Sequence, residues 1–403
     1  MNDQELLKTV NPSYFTAKGC LALLMQTGEP DAIKLGGEID LSELSKTSSA
    51  PPDETTIEIM RGYTVAHDAR YSVWNRIAEE SDCDVIIDLP CGYLPHALAV
   101  SRMGKQYYGF DLPVVINEIE PAMKKLSGGV SAIHYSGVDA TNYNSMKNAL
   151  YGVTGKICII TDGMLGFFNM SELKEVFASI KKLLTEFGGS WYTSDSMSAE
   201  LMALGYEAVT GKDPAVVFAT VKSGSAKAAD IDNSANPFLN WSYDKLKVLM
   251  EEQGFNVRAF PYSDKLPDLR SCANVPGLME RMRDKLTGMT EWELTAKAGN
   301  ANGTYGGEFY VKMNSEGNTA VYEVGGRLDT MTAPELLQKF KDSKPTEHII
   351  LDAKNMDYIS SAGLRVLLMM SKSAKEPLKV INYSEAVKEI FEVTGFADIM
   401  TLE

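Results

Sequence analysis

A chain of 403 residues is longer than one ordinary core organises, and at roughly 100 to 200 residues per domain it predicts two or three units. With 44% hydrophobic and 23% charged residues it has the composition of a folded globular protein, while a formal net charge of -15 repels phosphate backbones and argues against nucleic acid and anionic membrane as partners. Cys20, Cys83, Cys91, Cys158 and Cys272 make an odd set without a CxxC pair, which argues against a disulfide framework or a zinc site and predicts a reducing, cytoplasmic setting without a bound metal.

The opening stretch "MNDQELLKTVNPSYF" has no basic region followed by an apolar one, and no uninterrupted apolar run of about 18 residues follows it, so neither export nor membrane insertion is expected. Residues 1–59 read as a helical segment that could cover the next domain. It ends in "SKTSSAPPDETT" (Ser45–Thr56), a Ser-, Pro- and Thr-rich loop. A second loop, "AKAGNANGTYGGE" (Ala296–Glu308), is rich in Gly and Asn, and the two together predict a central domain over 60–300 and a smaller one over 307–403.

Within the central domain, "DVIIDLP", "KQYYGFDLP" and "GKICIITDG" are apolar runs closed by turn residues, as buried strands of a parallel sheet are. Between and after them come helical patterns such as "SELKEVFASIKKLL", with apolar positions every three and four residues. The predicted class is α/β, a doubly wound, mostly parallel sheet with right-handed crossovers, whose ligands bind at the carboxyl ends of the strands. Those ends carry Asp88, Asp111 and Asp162, and Gly92 just past the first would let backbone approach a ligand. No GxGxxG accompanies them, so a nucleoside without a pyrophosphate suits the pattern better than a dinucleotide. Each Asp could equally be a helix cap or turn former.

Four segments, "IMRGYTVAHDARY", "VIIDLPCGYLPHAL", "YYGFDLPVVI" and "TDGMLGFFNMSELKEVFASIKKLL", resemble successive motifs of the leucine carboxyl methyltransferase family over roughly Met60 to Tyr262. That resemblance implies a Rossmann-like fold, S-adenosylmethionine as cofactor, and a small-molecule or protein-carboxylate acceptor. It assigns Arg61 of "RGY" to the methionine carboxylate, Asp111 to the ribose, Asp139 of "SGVDATNY" to the adenine amino group, and Asp162 to the third strand tip, where the family usually has glutamate. The chain departs from the family in having Pro90, Cys91 and Gly92 where a "GAG" turn is usual, and Ala66 where a second Arg is common. A sulfonium methyl is already activated, so alignment and exclusion of water suffice and no obligatory base is implied. Catalytic residues therefore stay unassigned, with His67, His96 and Tyr63 the candidates near the motifs. Met1–Asp53 and Asp213–Ala296 are expected to set acceptor identity.

Beyond Gly307, short strands alternate with short helices, and "HIILDAKNMDYISSAGLRVLL" runs from a buried strand into a helix. Two serines at that junction suit an N-cap, and they also suit a phosphate at the positive end of the helix dipole. From about Phe309 to Glu403 the chain is similar to STAS domains, the fold of bacterial anti-sigma-factor antagonists and of sulfate-transporter tails. The resemblance places Ser361 on the residue that a partner kinase phosphorylates, with Ser360 as the second choice and standing where those antagonists have Asp. Thr332 and Glu335 have the spacing of a capping box. Two functions follow as expectations: an O-methyltransferase, acting on a carboxyl or hydroxyl, with a STAS regulatory domain; or a non-catalytic sensor of S-adenosylmethionine that acts as an anti-sigma-factor antagonist.

Overall fold

The computed structural model of the chain describes residues 3–10, 13–47, 53–218, 236–297, 308–344 and 346–403. Two units form, one of Ser13–Gly299 and one of Asn300–Glu403 with the first twelve residues. This corrects the expected segment 1–59 at its start, because α1 (Asp3–Val10) belongs to the C-terminal unit. The core of residues 48–52 in the first predicted loop and 298–307 in the second lie outside the described residues.

The larger unit is built on a seven-stranded sheet: β1 (Val85–Asp88), β2 (Gln106–Asp111), β3 (Ile133–Gly137), β4 (Ile157–Thr161), β5 (Gly189–Thr193), β6 (Phe255–Pro261) and β7 (Thr290–Ala296), ordered β3-β2-β1-β4-β5-β7-β6. The first five are parallel to one another, and β7 is antiparallel to both β5 and β6. This is the expected doubly wound, mostly parallel α/β sheet. All residues of β1 and β4 are buried, which is why these strands read as continuous apolar runs. Strand order reverses between β1 and β4, the position where such sheets open a ligand crevice.

Helices of this unit are α2 (Tyr14–Gln26), α3 (Pro30–Gly36), α4 (Glu54–Glu80), α5 (His96–Arg102), α6 (Pro113–Ser127), α7 (Tyr143–Ala149), α8 (Met170–Phe187), α9 (Ser198–Thr210), α10 (Pro237–Asn240), α11 (Tyr243–Glu252) and α12 (Leu278–Lys285). Asn169 and Glu172 close α8 with a reciprocal capping box, each side chain accepting the other's backbone N–H at 3.0 Å. Leu173, Phe177, Ile180 and Leu184 of its inner face pack into the core with Trp191 of β5 and Trp292 of β7. No helix among the described residues is long and apolar enough to cross a membrane.

In the C-terminal unit β8 (Tyr310–Glu316), β9 (Thr319–Leu328), α13 (Ala333–Asp342), β10 (His348–Ile359), α14 (Ser361–Ser373), β11 (Lys379–Ile381), α15 (Glu385–Val393) and β12 (Thr401–Leu402) form a second α/β layer pair, with sheet order β12-β11-β10-β9-β8. Leu6 and Val10 of α1 are buried in the same core as Leu336, Leu337 and Leu367, and Arg365 donates to the Val10 carbonyl. Thr332 does not close the expected capping box. Its hydroxyl donates instead to the Arg327 carbonyl (2.7 Å) and accepts from the Asp329 N–H (2.8 Å), so it ties the turn before α13 rather than the helix end.

Candidate cofactor and acceptor site

The three strand-end acids have three different environments. Asp88 is buried beneath the crevice, where the Tyr107 hydroxyl donates to it at 2.7 Å. Burial, joined by the charges of Asp111 and Asp162, pushes its carboxyl well above the ordinary range. Asp111 accepts from the Gly92 N–H through one oxygen and from the Leu112 N–H through the other, both at 2.7 Å. It joins the loop after β1 to the tip of β2, and each oxygen retains capacity for a ligand hydroxyl. Burial pushes this carboxyl up to about 6.

Gly92 has φ of 51°, in the left-handed region, and a Cβ there would lie 3.3 Å from that of Ala17 in α2. The loop and α2 therefore approach closely. Lys18, next along α2, is buried, pairs with Glu118 at 2.8 Å and donates to the Asp40 carbonyl at 2.8 Å, while the Tyr93 hydroxyl donates to the same Glu118 carboxylate at 2.9 Å.

Asp139 follows β3. Its Oδ1 accepts from the N–H (2.8 Å) and the hydroxyl (2.7 Å) of Thr141, whereas Oδ2 is buried with no partner among the described residues. An unsatisfied buried acceptor costs about 1–3 kcal/mol, a cost that a ligand donor would relieve. The residues present thus fit an adenosyl group, with an acceptor for an amino group at Asp139 and one for hydroxyls at Asp111.

Two arginines of α4 have different surroundings. Arg61 is exposed, while Arg70 grips Asp162, with Nε 2.9 Å from both carboxylate oxygens and Nη2 2.7 Å from Oδ1. Nine residues at about 100° each put these arginines on opposite faces of the helix. His67 donates from Nδ1 to the Tyr63 carbonyl at 2.9 Å, and burial, with the charge of Arg70, pushes its imidazole down to about 4. His96 stacks on Trp74 (3.9 Å between centroids) and Tyr71 (4.7 Å), with burial pushing it down to about 3. Both rings are neutral packing elements at pH 7. The Tyr63 hydroxyl is buried without a partner, and burial pushes it up to about 12.

A cleft at the carboxyl edge of β4 and β5 is lined by Arg70, Trp74, Asp162, Ser194, Tyr262 and Glu291, with apolar neighbours. Ser194 donates to Asp162 at 3.3 Å, and Asp195 holds the turn after β4 by accepting from the N–H groups of Gly163, Met164 (3.0 Å) and Leu165 (2.7 Å). Glu291 escapes a sequence reading that looks for acids at strand ends, because β7 runs antiparallel and brings its start to this edge. Thr193 pairs with Trp292, so Glu291 lies one step beyond the end of β5. Its carboxyl is buried. Burial, with Asp162 and Asp195 adding to it and Arg70 opposing, pushes it well above the ordinary range. Among the described residues no cluster of three or more His, Cys, Asp or Glu is arranged to hold a metal ion.

In the C-terminal unit the paired serines separate by role. Ser360 is buried and is the N-cap of α14, its hydroxyl accepting from the N–H groups of Ala362 (3.2 Å) and Gly363 (3.4 Å). Ser361 is the first helical residue and is partly exposed. Gly363 lets the helix start sit on β9, since a Cβ there would come within 2.5 Å of the Leu328 carbonyl oxygen.

This small α/β unit, with a serine-capped helix opening beside its central strands, matches the family model described as "Mlab, STAS domain" over residues 311–402. The anti-sigma-B factor antagonist of Staphylococcus aureus is 32% identical over 84 residues, a match covering 19% of this chain and 77% of that protein. Through its C-terminal unit the chain belongs to the STAS family. BtrV of Bordetella bronchiseptica, named as an anti-sigma factor antagonist, is 39% identical over 59 residues, covering 14% of this chain; the chain spans about half of that relative, 51%. Over the larger unit, magnesium protoporphyrin IX methyltransferase of Synechocystis, solved with bound S-adenosylhomocysteine, is 10% identical with a TM-score of 0.33, covering 64% of this chain and 96% of that one.

Proposed function

We propose that residues 13–299 form an S-adenosylmethionine-dependent O-methyltransferase related to the leucine carboxyl methyltransferases, acting on a carboxyl or hydroxyl and regulated through the STAS unit. The observation that carries this reading is the buried, unpartnered Oδ2 of Asp139 beside the Asp111–Gly92 corner, at the switch point of a doubly wound sheet. The cofactor, when bound, supplies an electrophilic methyl group. Asp139 accepts from the adenine amino group and Asp111 from the ribose hydroxyls. Arg70, held in place by Asp162, takes the place expected of Arg61 and directs its remaining N–H groups to the methionine carboxylate. Buried Trp74 and Tyr262 keep water from the reacting atoms. Titration calorimetry with S-adenosylmethionine, S-adenosylhomocysteine and ATP, followed by assays of S-adenosylhomocysteine release from phenols and carboxylic acids, tests the reading. Binding of both adenosyl ligands and repeated turnover are expected; binding of ATP alone would overturn it, and binding without turnover on any acceptor would favour a sensor.

In the STAS unit, we propose Ser361 as the phosphoacceptor of a partner kinase. What supports it is that Ser360 is buried and engaged as the cap, whereas Ser361 is partly exposed on the first turn, where amides and dipole favour a phosphate. Phosphate mapped by mass spectrometry after incubation with lysate and ATP should fall on Ser361 and vanish in Ser361→Ala; phosphate on Ser360 alone would refute the assignment.

A further inference from the structure

We propose, on the reading of Ser361 as a phosphoacceptor, that α1 is a detachable strap on the STAS unit, clasped by Arg365, and that a phosphate on Ser361 opens it by drawing the Arg365 guanidinium off the Val10 carbonyl.

Helix α1 (Asp3–Val10) packs on α13 and α14. Its buried anchors are Leu6 and Val10, four residues apart and so on one face of the helix. Arg365 of α14 donates from Nη1 to the Val10 carbonyl. Val10 is the last residue of α1, where a carbonyl has no partner within the helix and the dipole is negative, so the guanidinium satisfies an acceptor and a charge together. A helix of eight residues does not hold its shape alone in water, since isolated helices shorter than about 12–15 residues are marginal. Docking and helix formation are therefore one event for α1, and it combines two apolar anchors with the Arg365 clasp. Short segments of this kind supply the parts of a fold that open locally. Only Asn11 and Pro12 stand between Val10 and the start of the larger unit at Ser13, so α1 is a second covalent link between the units beside the one over 298–307. The chain then runs into α2, whose Ala17 approaches the Gly92 loop of the cofactor corner.

Ser361 and Arg365 stand four residues apart on α14 and are neighbours on its surface; helical side chains lean toward the N-terminus, so Arg365 leans toward Ser361. Phosphorylation forms a bond from Ser361 Oγ to the terminal phosphorus of a nucleoside triphosphate. The Oγ–H proton is lost, and the bridging P–O bond breaks with its electron pair leaving on the nucleoside diphosphate. The new group carries about -1.5 to -2 charge at pH 7 and three acceptor oxygens. A guanidinium bonds a phosphate through two parallel N–H groups, and such charge-assisted bonds are about twice as strong as those to a neutral carbonyl. The planar fork that turns onto the phosphate takes Nη1 with it, away from Val10. The phosphate also brings negative charge toward the C-terminus of α1, the end of that helix that disfavours it. Both effects act against docking, and the first acts through Arg365 alone.

The test is hydrogen exchange read by mass spectrometry on the full chain, with phosphoserine installed at position 361 by nonsense suppression so that no kinase is needed. Amides of α1 should exchange about tenfold or more faster in the phosphoserine chain than in the unmodified one, while amides of β10 keep their protection. In Arg365→Gln, which removes the clasp, α1 should exchange faster from the outset, and phosphoserine should add less than about threefold. Exchange of α1 that ignores phosphoserine would overturn the proposal, as would a phosphate effect of equal size with and without Arg365. Loss of protection in β10 together with α1 would also overturn it, because the phosphate would then be unfolding the unit rather than opening a strap. The two readings fail separately. A kinase that modifies a different residue sinks Ser361 as phosphoacceptor and leaves the response to installed phosphoserine standing, whereas an α1 indifferent to phosphoserine sinks the strap and leaves the phosphoacceptor in place.

Discussion

Replacing Asp139 by asparagine would remove one acceptor and leave the rest of its corner in place. The amide oxygen can keep both bonds from Thr141, at 2.8 and 2.7 Å, so the turn after β3 should hold. What changes is the second position, where a buried oxygen without a partner becomes an NH2 donor. An adenine amino group arriving there would meet a donor instead of a charged acceptor. A hydrogen bond to a charged group contributes about 1.5–3 kcal/mol, so affinity for S-adenosylhomocysteine should fall by about 10- to 150-fold, with stability changed by no more than about 1 kcal/mol. S-Inosylhomocysteine, which carries a carbonyl in place of that amino group, should show the reverse preference and bind the variant better than the unmodified chain. Calorimetry with both ligands, beside a thermal melt, measures all of this. Affinities within about twofold of the unmodified protein for both ligands would refute the placement of adenine at Asp139.

The pH dependence of binding should report Asp111, whose carboxyl is pushed up to about 6: as pH falls through that value the ribose acceptor is protonated, and S-adenosylhomocysteine affinity should drop about tenfold between pH 7.5 and 5. The raised value makes the folded chain hold this proton more tightly than the unfolded one, so Asp111 itself favours folding at low pH and loses that effect as pH rises from 3.8 through 6, and a loss of binding at pH 5 without unfolding is the expected pattern. Gly363→Ala forces a Cβ to within 2.5 Å of the Leu328 carbonyl oxygen, and should destabilise the C-terminal unit by about 1–3 kcal/mol, read as faster hydrogen exchange in β9 and β10; unchanged exchange would show that the helix start can shift freely. Lys18→Met removes the ammonium that Glu118 pairs with, and with that carboxylate 21% exposed the cost should be about 1–3 kcal/mol, seen as loosened α2 amides; restored protection in the Lys18→Met, Glu118→Gln pair would assign the loss to the Glu118 charge, and unaltered protection in the single variant would show that Lys18 does not anchor α2.

The sequence by itself determined the strands whose residues are buried on both faces, since a run such as "VIID" or "ICIIT" carries its burial in its composition. It determined the capped start of α14 as well, because an N-cap is an interaction between residues two and three apart. Local pattern also reached the acids closing β1, β2 and β4, and the family resemblance reached Asp139 after β3, but neither showed what surrounds them: Asp88 faces Tyr107, Asp162 faces Arg70, and Oδ2 of Asp139 has no partner among the described residues. That Arg70 is held on Asp162 while Arg61 is exposed depends on which face of α4 turns inward, which packing fixes and motif position does not. Glu291 depends on strand direction, since an acid at the start of a strand reaches the crevice only if that strand is antiparallel to the others. Likewise α1 joins the core of a unit about 300 residues further along the chain, through Leu6 and Val10. In each of these cases the deciding contact is between residues far apart in sequence, where short-range pattern carries no information and only the closed fold brings the partners together.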